Sequence, residues 1–180
     1  MQLIRIKLVV GLVALLSVIG LGQGSTSRNG DDLTPPDLPC NDLQVGAGYT
    51  VSFHAFAVGI QRYRWNGTAW VFVEPVAKLY ANDNYQGEIG SHYVGPTWES
   101  NSGSKVVAAR DAGCPSDPTA IDWLLLHATS NDGPGPFKRV KYIQRVNTVG
   151  GKAPVAPGLV VGAVVDIPYT AEYYFYRADH

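Results

Sequence analysis

The pattern of apolar and polar positions changes character once along the chain. Residues 8–21, "LVVGLVALLSVIGL", form an uncharged apolar run. Beyond it helical periodicity is nearly absent. Short segments of two-residue alternation recur instead between clusters of Gly, Pro, Asn and Asp, which is the pattern of half-buried strands. In "YTVSFHAF", residues Tyr49, Val51, Phe53 and Ala55 fall on one face. In "QRYRWNGTAWVFVEP", Asn66-Gly67 supplies the two positive-φ positions of a type I′ turn, so residues 61–65 and 69–74 are expected to form a hairpin. Trp65 and Trp70 would then pair across it. Asn66-Gly67-Thr68 also has the form of a glycosylation acceptor, but the turn explains it fully. Further strands are expected over residues 88–94, 104–110, 121–128, 137–146, 160–167 and 172–177. The continuous apolar run "IDWLLLHA" predicts a strand buried on both faces, with a short helix as the alternative. Strands at this spacing predict an all-β fold, a single-domain antiparallel β-sandwich or flattened β-barrel.

The first apolar run has a different meaning. Arg5 and Lys7 precede it and small residues follow, the arrangement of a secretory signal peptide over residues 1–24. It is shorter than the roughly 20 residues of a bilayer span, so no stable membrane anchor is expected after cleavage. No cysteine follows to carry a lipid. Cleavage removes two of the 14 Lys and Arg and none of the 15 Asp and Glu, leaving a net charge of −3. So mild a charge predicts no nucleic-acid partner. Residues 25–42, "STSRNGDDLTPPDLPCND", read as an extended, Pro-rich leader, and residues 43–180 as one β-rich domain. The expected location is outside the cytoplasm: secreted, periplasmic or at the cell envelope. There, a Cys40–Cys114 disulfide is the economical reading of the two cysteines, with free thiols or a mixed disulfide as alternatives.

Candidate chemistry is sparse. "GSHYVGPTWES" brings His92, Trp98 and Glu99 together across a Gly-Pro turn, so His92 and Glu99 are candidate acid/base catalysts, with Arg145 as a positioning group. The structural alternative is a strand end whose tryptophan seals the core, with His92 hydrogen-bonded beneath it. His54, His92 and His127 all lie on expected strands and would bind copper or zinc only if they converged. His54 and His127 sit among apolar residues, where a buried, satisfied histidine is the commoner case. "NDNYQG" resembles a calcium loop but lacks the closing glutamate. No GxSxG, HExxH or Walker loop is present, and neither a metal nor a cofactor is expected. Glu74, Glu88, Glu99, Asp122, Asp166 and Glu172 are the carboxylates from which a glycosidase pair would have to come. In "FKRVKYIQRVNT", Arg139, Lys141 and Arg145 alternate onto one face that reads as solvated. Exposed aromatics on a secreted β-fold can stack on sugars or apolar ligands. Trp98, Asp122, Asn147, Tyr169 and Glu172 are the candidate binding residues.

Five blocks, "GIQRYRW" with "WVFVEPVAKLY", "GSHYVGPTWES", "IDWLLLHA", "YIQRVNTVGGKAP" and "IPYTAEYYFY", resemble in the same order the exported bacterial and fungal proteins grouped as domain of unknown function 3455. The resemblance implies export and a β-rich fold, and implies no activity. Some fungal members carry a malate dehydrogenase label, yet a nicotinamide enzyme would need a βαβ unit with its glycine loop. Many members have a cysteine at the position of Trp65 and another near Gly158-Leu159; both are missing here. The functional expectation is a non-catalytic extracellular or envelope module that binds a glycan, an envelope component or a protein. The alternatives are a small secreted enzyme using His92 and Glu99, and, more weakly, a histidine metal protein.

Overall fold

The computed structural model describes residues 27–179; the expected signal peptide lies outside the described residues. The described chain contains eight strands: β1 (Tyr49–Trp65), β2 (Trp70–Tyr80), β3 (Glu88–Tyr93), β4 (Thr97–Ser100), β5 (Lys105–Cys114), β6 (Trp123–Asp132), β7 (Val140–Gly150) and β8 (Val164–Ala178). Each strand pairs antiparallel with its neighbours in sequence, and β8 returns to β1, so one sheet closes on itself as a barrel with no free edge. Among the described residues the only helical element is a 3-10 turn, Asn41–Leu43. No helix of the described chain is long and apolar enough to cross a membrane.

Two expected strand pairs are fused. β1 runs unbroken through residues 57–60 because Gly59 lets β2 come close: a Cβ there would lie 2.2 Å from the Val76 carbonyl oxygen. β8 likewise joins the last two expected strands. The hairpin at Asn66 forms, with Trp65 opposite Trp70 and their rings 5.5 Å apart. Its turn differs from the expected type I′. Gly67 has positive φ but Asn66 does not, and the Asn66 side chain instead accepts hydrogen bonds from the Thr68 and Ala69 amides in a four-residue loop.

Inside the barrel, Phe53 stacks on Phe175 at 4.3 Å and Phe137 packs beside both, which plugs one end. The segment before β1 adds a layer outside it. Leu38, Cys40, Leu43 and Val45 cover the outer faces of β5 to β8, so six consecutive residues of β8, Ala171 to Tyr176, are buried on both sides. The same cover explains the double burial of Leu125 and Leu126 in β6. Cys40 and Cys114 form a disulfide that ties this layer down, and Gln144 donates to the Leu43 carbonyl while accepting from Tyr176. The long β7–β8 connection folds back over the Trp65 hairpin, and Gly158 lies directly against the Trp65 ring. Positions 65 and 158, where the resemblance implies cysteines in other members, are therefore neighbours in space.

Candidate functional site

The tight β3–β4 hairpin decides what the histidine-tryptophan segment can do. Val94-Gly95-Pro96 forms its turn, with Gly95 at φ 127° and the Thr97 hydroxyl donating to the Val94 carbonyl. His92 faces Trp98 directly across the pair and both point inward, whereas Tyr93 and Glu99 point outward and hydrogen-bond to each other at 2.6 Å. His92 and Glu99 therefore lie on opposite faces of the sheet. The expected acid/base pair does not form, because successive side chains on a strand alternate. Lys105 also approaches Glu99, at 3.5 Å. Glu74 and Asp166 flank Arg62, and Glu88 pairs with Lys78.

Arg145 corrects a second expectation. It does not share a solvated face with Lys141. A register shift between Val140 and Tyr142 resets the alternation, so Ile143 and Arg145 face the barrel interior while Lys141 stays exposed. Arg145 Nε and Nη2 donate to the Asp122 carbonyl at 3.1 and 2.7 Å, so backbone rather than a carboxylate positions the guanidinium. The Asp122 carboxylate lies 3.8 Å from Arg110 at the rim.

Together these residues shape the open end of the barrel, opposite the phenylalanine plug. A cavity of about 380 Å³ lies there, with Leu124, Leu126, Phe72 and Pro96 among its apolar walls. His92, Trp98 and Tyr173 line its depth, and Arg145 and Arg110 supply two cations without any carboxylate in the wall. His92 Nδ1 donates to the Thr97 carbonyl at 2.9 Å, which leaves Nε2 as an acceptor, and burial pushes its pKa down to about 3, so the ring is neutral. Burial pushes the Tyr173 and Tyr169 hydroxyls up and keeps them protonated. Their oxygens lie 3.5 Å apart. Trp98 is 1% exposed, and its Nε1–H has no hydrogen-bond partner in the described chain.

The remaining candidates lie elsewhere. Asn147 and Glu172 border a cleft on the outer wall, where Asn147 adopts φ 50° at a second register shift of β7. His54 is buried beside Glu172, but its Nδ1 has no partner, so it is not the satisfied core histidine expected. His127 is only half-buried: its side chain is 45% exposed and meets Asp111 at 2.5 Å. The three histidines occupy separate places and do not converge. Sequence reasoning missed Gln61 and Arg110 as cavity-lining residues, because the alternation that turns them inward is legible only once the ring is closed.

A family model described as protein of unknown function (DUF3455) matches residues 46–177. The chain belongs to the DUF3455 family. The matched span begins just before β1 and ends within β8, so the family unit is the closed barrel. No curated protein and no solved structure matches the chain.

Proposed function

We propose that this DUF3455 protein is an exported, non-catalytic binding module that takes a small ligand into the open end of its barrel. The ligand class is an apolar or aromatic molecule bearing a carboxylate or a similar acceptor-rich group. The observation that carries this reading is the composition of the cavity: apolar walls around Arg145, whose guanidinium is held by a backbone carbonyl rather than by a carboxylate, with Arg110 beside Asp122 at the rim. A cation set among low-dielectric walls attracts an anion far more strongly than one in water. Binding rather than catalysis is favoured by the placement of His92 and Glu99 on opposite faces of the sheet. Export rests on the N-terminal sequence pattern and accords with the Cys40–Cys114 disulfide.

The test is thermal unfolding of the mature protein with aromatic and medium-chain aliphatic carboxylates, each set beside its neutral amide. Carboxylates should raise the midpoint, the amides should do so much less, and Arg145→Met should remove the difference. Equal responses to acid and amide, or no response across both series, would overturn the ligand class. Export is checked separately by sequencing the amino terminus of protein recovered from outside the cytoplasm.

A further inference from the structure

The outer-wall cleft holds a group the cavity reading does not use. Glu172 points away from the barrel interior and is only 3% exposed, which is an unusual setting for a carboxylate. Arg28 of the leader meets it: Nη1 lies 2.6 Å from Glu172 Oε1, Nε lies 3.3 Å from Asp83 Oδ2, and the guanidinium carbon sits 5.5 Å over the buried Phe56 ring. Two carboxylates and an aromatic face around one planar cation are the elements of a guanidinium or ammonium receptor. His54 Nε2 lies 3.1 Å from Glu172 Oε2, and Asn147 borders the same cleft.

The occupant is open to solvent on one side. The Arg28 side chain is 58% exposed. Its backbone is fastened by the Asn29–Asn82 bridge, the Gly30 amide to the Ala81 carbonyl and the Asp83 amide to the Arg28 carbonyl. Beside the seated arginine the cleft stays open, with a volume of about 660 Å³ bounded by Trp123, Tyr85, Asp117 and Asn147. There is room there for the body of a ligand whose cation replaces that of Arg28.

We infer that Glu172, Asp83 and Phe56 form a binding site for an organic cation of the guanidinium or primary ammonium class, and that Arg28 occupies it in cis as a displaceable self-ligand. A free small molecule and an arginine side chain on another polypeptide present the same group, and the titration separates the two sources. Because Arg28 is tethered, it competes at a high effective concentration, and an external cation should bind weakly until Arg28 is removed.

The experiment compares wild type, Arg28→Ala and Arg28→Lys by thermal unfolding and by calorimetric titration. The probes are arginine methyl ester and its citrulline counterpart, both acetylated on the α-nitrogen so that only the guanidinium is charged, and an arginine-containing tripeptide capped at both ends. Arg28→Ala should unfold at a lower temperature than wild type, because it leaves Glu172 buried and unpaired. Arginine methyl ester should restore its midpoint and bind at least tenfold more tightly than to wild type. The citrulline ester should do neither, and Arg28→Ala/Glu172→Gln should lose the response. Tighter binding of the ester than of the tripeptide assigns the site to small molecules, and the reverse to a polypeptide arginine. Cooperative unfolding of Arg28→Ala with no preference for the charged probes would overturn the inference. So would equally tight binding to Arg28→Lys and Arg28→Ala, since lysine should still fill the site. The cleft is separated from the barrel cavity by the sheet, so Arg145→Met should leave these responses unchanged, and failure here leaves the cavity reading untouched.

Discussion

The rings of His92 and Trp98 stack nearly parallel, 4.2 Å apart with 13° between their planes, and Tyr173 closes over both edge-on. The stack sits on the inner wall of a closed barrel. The physical state of one ring therefore bears on the stability of the whole ring of strands.

The first prediction concerns protons. His92 has a folded pKa of about 3 against an ordinary 6.5, because burial disfavours the charged ring. Between these values the unfolded chain binds a proton that the folded chain does not, so stability falls as pH drops from 6.5 towards 3. His92→Phe keeps the ring contacts and removes the titration. Denaturant unfolding of wild type should lose on the order of 1 kcal/mol more per pH unit over this window than the variant does. Parallel slopes would mean that His92 titrates normally.

Trp98 supplies a second test. Trp98→Ala should cost about 3–5 kcal/mol, the range for emptying a large core site. Trp98→Phe preserves most of the packing and deletes an N–H without a partner, so its cost should be no more than about 1–2 kcal/mol. Chemical denaturation of the two variants decides. If they are equally damaging, the indole nitrogen makes a bond that matters for folding.

At Gly59, backbone proximity is at stake. An alanine Cβ would meet the Val76 carbonyl oxygen at 2.2 Å, so Gly59→Ala should destabilise by about 1–3 kcal/mol. Gly46→Ala is the control, since nothing lies within 4 Å of its added carbon. The difference between their unfolding midpoints measures how tightly β1 and β2 are pressed together.

The disulfide closes a sequence separation of 74 residues and anchors the leader over β5 and β6. Cys40→Ser/Cys114→Ser should cost about 2–5 kcal/mol. Hydrogen exchange should show protection lost first at the outer-layer contact between Gln144 and Leu43, while amides on the barrel interior stay protected. Uniform loss throughout would show that the leader and barrel unfold as one unit.

Much of the fold is legible in the sequence, and the residues that mislead do so for identifiable reasons. Asn66-Gly67 marks the hairpin because its glycine must turn there, and the facing tryptophans follow from it. β4 escapes notice because four residues, Thr97 to Ser100, are too few to display alternation. Arg145 is misplaced by simple counting because one bulge in β7 inverts the phase behind Lys141. The candidate site is less legible than the fold. His92 and Trp98 are visible as a pair, but whether Glu99 joins them depends on strand phase. Arg28 and Glu172 are 144 residues apart in a sequence that gives no hint of their meeting.

The pairing of β1 with β8 joins parts of the chain that are remote in sequence; the Ser52 hydroxyl, for example, donates to the Phe175 carbonyl across 123 residues. Most of the barrel can assemble by adding each strand to the one before it, but the final seam waits for β8. Non-local closure of this kind is slow compared with hairpin formation. Until β8 docks, the other seven strands form an open sheet with two unpaired edges, so the hazard of edge-to-edge association is confined to the interval before the seam closes.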